Sequence, residues 1–164
     1  MTTALSHTLD EAAKAIKNAS KYLCPNQVTE CLSLLDSCYE RKSKVLISGV
    51  GKSGIVARKI AATFSSIGLM AVYINPLDAL HGDIGVMHSL DVCLLLSNSG
   101  ETNEILDLIF HVKKRGIKVI SLVGCLESSI AKKSDVVLFV NVDKEFCPLN
   151  LAPTASTTVA LAIG

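Results

Sequence analysis

Two short segments of this chain gather hydroxyl, amide and cationic side chains among glycines, a combination suited to holding an anion. Gly49-Val50-Gly51-Lys52-Ser53-Gly54 leaves an apolar run and opens a helical one, and Ser97-Asn98-Ser99-Gly100-Glu101-Thr102 does the same further on. Glycines let the backbone approach a ligand, while a helix N-terminus offers unpaired N–H groups and the positive end of a dipole. Serine and threonine before a helix are also ordinary caps, so one such loop alone carries little weight. Two at the ends of adjacent strands would line a single crevice, sized for one phosphate and a short polar chain. The phosphate anchors expected there are Ser53, Ser97, Asn98, Ser99 and Thr102.

Two rival readings of the first loop are weaker. A nucleotide-binding P-loop needs a glycine where Leu46 stands. The dinucleotide pattern Gly-x-Gly-x-x-Gly is satisfied by Gly49, Gly51 and Gly54, but the second strand ends near Asn75-Pro76 without an acidic residue for a ribose hydroxyl. Asp78 comes too late. Glu101 and Glu104 stand three apart at a helix start and reach neighbouring sides of its mouth. Glu101 reads as a group that caps the helix and complements its dipole. His81 has no second histidine or cysteine at ligand spacing, so no metal site is expected; His88 and His111 read as surface residues.

The elements that must position these loops follow from periodicity. Strands are expected at 44–48, 70–74, 91–96, 117–123 and 136–141, and helices at 53–66, 102–115, 127–133 and from near Thr154. Val92-Cys93-Leu94-Leu95-Leu96 is apolar on both faces, as a central parallel strand covered by helices must be. Ahead of the sheet, Leu5, Leu9, Ala12, Ala13 and Ile16 form one helical stripe, and Val28, Cys31, Leu32, Leu35 and Cys38 a second, with Pro25 between them. The fold expected is α/β: a doubly wound parallel sheet of five strands in the flavodoxin-like order 2-1-3-4-5, preceded by a helical hairpin, all in one domain over residues 1–164.

Composition narrows the function. The 164 residues are 49% hydrophobic and 19% charged, with a formal net charge of +1 and 4% aromatics without tryptophan. Such a chain folds, but offers neither a basic footprint nor stacking platforms for nucleic acid. The uncharged stretches 60–77 and 149–164 are broken by polar residues and proline, and the N-terminus lacks a signal-peptide core. A cytosolic protein acting on a small polar ligand is expected, without membrane or nucleic-acid partners. The six cysteines, with Cys24, Cys31 and Cys38 at sevenfold spacing, read as small buried hydrophobes; Cys147, in a loop, is the one to watch.

Together with Leu80-His81-Gly82-Asp83-Ile84-Gly85, the two loops resemble the sugar isomerase (SIS) domain. Glu127-Ser128-Ser129-Ile130-Ala131 and the run from Lys144 to Thr158, with Cys147-Pro148-Leu149-Asn150-Leu151-Ala152-Pro153-Thr154 at its centre, are similar to the arabinose-5-phosphate isomerases within it. That resemblance implies interconversion of D-ribulose 5-phosphate and D-arabinose 5-phosphate for the lipopolysaccharide sugar Kdo, in a homotetramer. It also implies catalytic parts for Lys52, Glu104, Glu145 and His81, the two glutamates as alternatives for the proton-transferring base. Chemically, such a reaction needs a base with its pKa raised toward neutrality, a stabiliser for the enediolate and a phosphate anchor. Family members continue past the equivalent of Gly164 with more of the last helix and a histidine segment, so the resemblance implies a C-terminally incomplete domain. Asn150 stands where the family usually has glycine. A non-catalytic sugar-phosphate sensor on the same domain is the competing reading.

Overall fold

The computed structural model describes residues 2–164. Its strands β1 (Val45–Gly49), β2 (Ala71–Tyr73), β3 (Val92–Ser97), β4 (Lys118–Val123) and β5 (Val136–Phe139) pair in parallel in the order β2-β1-β3-β4-β5. Each lies within a residue or two of its expected span. The helices are α1 (Thr2–Ala19), α2 (Pro25–Glu40), α3 (Gly51–Ser66), α4 (Pro76–Leu80), α5 (Asn103–Lys114), α6 (Ser129–Lys133) and α7 (Ala155–Ile163). Two elements were not anticipated: α4, and a 3-10 turn over Asp83–Val86. Asn75 begins α4, its Oδ1 accepting the Leu77 N–H at 3.0 Å, with Pro76 in the first turn where its missing N–H costs nothing. The side-chain oxygen at the tip of β2 thus serves as a helix cap, the ordinary structural use of an asparagine before a helix.

Because the strands are apolar on both faces, the sheet carries a layer on each. Ala19 of α1, Cys31 and Cys38 of α2, Val56 and Ile60 of α3 and Val159 of α7 cover Ile47, Leu94 and Leu122. Ala79 of α4, Ile105 and Leu108 of α5 and Ile130 of α6 cover Leu46, Leu95 and Val119. Among the described residues, no helix is long and apolar enough to cross a membrane.

One packing expectation, on the cysteines, is corrected, and two apolar helices prove only partly covered. The α1 stripe is not core: Leu5 is 64% exposed and Leu9 62%, and α1 packs on α7 and reaches the main core only at its C-terminal end. Cys24 and Cys125 are exposed while Cys31, Cys38 and Cys93 are buried, since Cys24 precedes α2 and Cys125 falls in the loop after β4. Burial pushes the Cys93 thiol up to about 12. On α7, Val159 is buried and Ile163 packs on the core, whereas Leu161 between them points outward, as i and i+4 share a helical face and i+2 does not.

Topology places the site. Gly49 of β1 pairs with Leu96 of β3, so the loops that follow these strands leave the sheet side by side at the point where the strand order reverses. Close approach explains the glycine spacing: a Cβ on Gly54 would lie 2.6 Å from the Gly49 carbonyl oxygen, which the Tyr73 hydroxyl also contacts, donating at 3.2 Å.

Candidate functional site

A cleft of about 420 Å³ opens at the C-terminal ends of the strands, between the start of α3, the end of β3 and the start of α7. Lys52, Ser53, Ser97, Asn98 and Glu145 all line it. Ser53 sits in the first turn of α3, whose N-cap residue Val50 supplies no side-chain acceptor, so the helix-end N–H groups carry no side-chain cap beside the cleft. Gly51, with φ at +58°, makes the turn that starts the helix there. Ser97 is buried at the end of β3; its hydroxyl accepts the Gly100 N–H at 3.1 Å and shares a 2.8 Å hydrogen bond with the Thr102 hydroxyl. That pairing ties the second loop into one unit.

Other residues singled out from the sequence stand apart. Thr102 is not in the cleft wall and touches it only through its hydrogen bond to Ser97. Ser99 is exposed, its hydroxyl accepting the Glu101 N–H at 3.2 Å. Glu104 lies half-buried in the first turn of α5, and His81 is exposed at the end of α4; neither lines the cleft. Glu101 does cap a helix, though not its own. It reaches across to α6, where Oε1 accepts the Ser129 N–H at 2.8 Å, and that bond holds its carboxyl below the ordinary range.

Glu145 has the richest surroundings. Its Oε2 accepts the N–H of Thr154 at 2.7 Å, the Thr154 hydroxyl at 3.2 Å and the Ser156 N–H at 3.2 Å, while Oε1 accepts the Ser156 hydroxyl. The carboxylate thus stoppers the N-terminus of α7 from a loop outside the helix. Partial burial pushes its pKa up, but the hydrogen bonds from Ser156, Thr154 and Ala155 together outweigh this and leave it below the usual carboxylate value. A base raised toward neutrality, the sequence-based expectation, is therefore not what Glu145 offers in this structure. It offers a fixed carboxylate that is ionised at neutral pH.

The same loop and the first turn of α7 supply residues that were not named as site residues from the sequence. Asp143, Lys144, Asn150 and Ser156 also line the cleft. Asn150 has φ at +53°, a left-handed conformation that glycine takes freely and asparagine tolerates, so its departure from the family's glycine is conformationally sound. Its Oδ1 accepts the Glu145 N–H at 2.7 Å, a contact no glycine could make. The positive-φ preference was the available signal. Cys147 is half-buried, and the backbone N–H groups of Ala152, Leu151 and Leu149 hold its thiol below the ordinary value. Among the described residues, no group of three or more His, Cys, Asp or Glu is gathered as metal ligands would be.

Paired loops at the switch point of a 2-1-3-4-5 sheet are where doubly wound α/β proteins bind their ligands. The SIS domain matches residues 39–164, and the chain belongs to that family. It is 43% identical over 162 residues to the arabinose 5-phosphate isomerase KpsF of Escherichia coli O6:H1, covering 99% of this chain and 49% of that protein. To the arabinose 5-phosphate isomerase KdsD of Pseudomonas aeruginosa it is 50% identical over 123 residues, 75% of this chain and 38% of that one. The chain spans about half the length, or less, of these curated relatives. Among solved structures, an Escherichia coli CFT073 protein in complex with arabinose 5-phosphate superposes with a TM-score of 0.88 at 38% identity, covering 97% of this chain and 82% of that one.

Proposed function

We propose that this chain is the catalytic domain of an aldose-ketose isomerase that interconverts D-ribulose 5-phosphate and D-arabinose 5-phosphate, in a cytoplasmic homotetramer serving Kdo and lipopolysaccharide synthesis. The observation that carries the reading is the convergence of Lys52, Ser53, Ser97, Asn98 and Glu145 on one cleft, in a chain whose relatives are arabinose 5-phosphate isomerases. The phosphate sits against the α3 N-terminus and the hydroxyls of Ser53 and Ser97, with Asn98 beside it and Ser99 and Thr102 shaping the loop. Glu145 takes a proton from C1 of the ketose, and the electron pair forms the C1–C2 double bond while negative charge moves to the C2 oxygen. Lys52 stabilises that oxygen, as a fixed cation does where charge develops. Return of the proton to C2, with the O1 proton passing to O2, yields the aldose. No cofactor enters this balance. Glu104 and His81 belong to the reading through resemblance.

Incubation of the protein with ribulose 5-phosphate in deuterium oxide tests it. Proton NMR should show loss of the C1 proton signal and appearance of arabinose 5-phosphate. Binding without exchange would instead support the sensor reading. For the anchor, the double change Ser53→Ala and Ser97→Ala should weaken sugar-phosphate binding more than about tenfold, since a hydrogen bond to a charged group is worth about 1.5–3 kcal/mol. Calorimetry with unchanged affinity would place the phosphate elsewhere.

A further inference from the structure

We infer that Ser156, with Thr154, is the positioning residue that aims the Glu145 carboxylate, leaving Oε1 as the oxygen that takes the proton. The inference rests on Glu145 being the base, as proposed above, and adds which groups orient it.

Three observations carry it. A carboxylate has about four lone-pair sites on its two oxygens. Oε2 receives the Thr154 and Ser156 N–H groups and lies 3.2 Å from the Thr154 hydroxyl, whose one proton also reaches the Ala152 carbonyl, whereas Oε1 is bonded by the Ser156 hydroxyl. Oε1 therefore keeps acceptor capacity and Oε2 does not. Second, α7 does not use its own N-cap: the side chain of Thr154 makes no cap hydrogen bond to its helix, although threonine is well suited to one. Its hydroxyl instead accepts the Phe146 N–H at 2.8 Å and directs its proton toward Glu145 Oε2 and the Ala152 carbonyl, at 3.2 and 3.3 Å. Stability alone would be served by the local cap; the chain instead sends in a carboxylate from the cleft wall. Third, Ser156 is 4% exposed and itself lines the cleft, and its hydroxyl is held by its bond to Glu145 Oε1.

The charged and titratable groups facing Glu145 come from every side. Lys52 of α3 shares its cleft, as do Asp143 and Lys144 of its own loop. His7 and Glu11 of α1, with Cys147, lie around a smaller pocket on which Glu145 also borders. All of these remain in a Ser156 variant, so a change in the titration of Glu145 reports on the serine.

The test compares the wild type with Ser156→Ala and with the hydroxyl-retaining Ser156→Thr, each first checked for native circular dichroism. Carbon-13 NMR of the glutamate carboxyls follows Glu145 directly, and the pH dependence of kcat for ribulose 5-phosphate follows the base. Ser156→Ala should move both the Glu145 titration and the acid limb of kcat upward, and lower kcat about tenfold with KM little changed, the scale of one charge-assisted hydrogen bond. Ser156→Thr should restore both. An unmoved Glu145 titration in Ser156→Ala overturns the inference, even with full isomerase activity in the wild type. A moved titration with an unmoved kcat limb overturns it too, by separating Glu145 from proton transfer. Should the wild type turn over no pentose phosphate, the isomerase reading fails by itself, and the carboxyl titration still decides whether Ser156 orients Glu145.

Discussion

Replacing Glu145 with Gln should lower turnover of ribulose 5-phosphate by at least about a hundredfold, the contribution expected of the positioned general base proposed above. Gln keeps the shape but cannot take a carbon-bound proton; its carbonyl can still accept the Thr154 and Ser156 N–H groups while its NH2 faces the Ser156 hydroxyl, so what is lost is the charge on these hydrogen bonds. Sugar-phosphate affinity should change little, because the phosphate contacts come from other elements. The pH dependence follows from the depressed pKa. A base held below the ordinary carboxylate range stays ionised to lower pH, so the acid limb of kcat should lie beneath that of a free glutamate. Stability obeys the same sign: Glu145 stabilises the fold above its unfolded pKa, and that contribution is lost as pH falls through the folded value. Melting temperatures of the wild type and Glu145→Gln should therefore differ at neutral pH and converge in acid. Glu104→Gln is the comparison that decides between the two carboxylates. A large loss of proton exchange there, with exchange retained in Glu145→Gln, would transfer the base to α5.

The second large effect concerns the backbone that builds the phosphate loop. Gly54→Ala should cost about 3 kcal/mol in urea unfolding, the upper range for forcing a group into a filled space. The new methyl would lie 2.6 Å from the Gly49 carbonyl oxygen and 3.1 Å from the Tyr73 hydroxyl. Strand β1 and helix α3 meet there, so relief requires moving one away from the other. Ser53 moves with α3, and affinity for sugar phosphate should fall alongside stability. Gly51→Ala is the matched control. Its φ of +58° strains any side chain, yet no atom lies within 4 Å of the added carbon. It should cost only about 1 kcal/mol. Equal penalties at the two positions would show that conformation rather than close approach selects both glycines.

Much of this architecture was legible from residue types alone. Runs such as Val92 to Leu96, apolar on both faces, can be stable only inside a covered parallel sheet, and the helical segments between them fix a doubly wound fold. The two serine-bearing loops were legible for a related reason. Glycine, serine and a helix start in succession have few physical uses, and strand order then sets the loops side by side. What escaped depended on partners distant in sequence. Periodicity shows that α1 has an apolar face but not whether another element covers it, and Leu5 and Leu9 prove exposed. Nor does a helix-start glutamate announce which helix it caps; Glu101 serves α6. Glu104 and Glu145 were equivalent on paper. Only the path of the loop from Val140 to Thr154 brings Glu145 into the cleft wall and onto the end of α7, while α5 leaves Glu104 outside it. Local interactions and burial patterns are written into neighbouring residues, so the sequence by itself determined the five strands, the longer helices and the strand order, though not α4 or the 3-10 turn. A carboxylate's donors, and hence its pKa and its aim, are set by groups that meet through the folded chain, and the tertiary structure alone decided them.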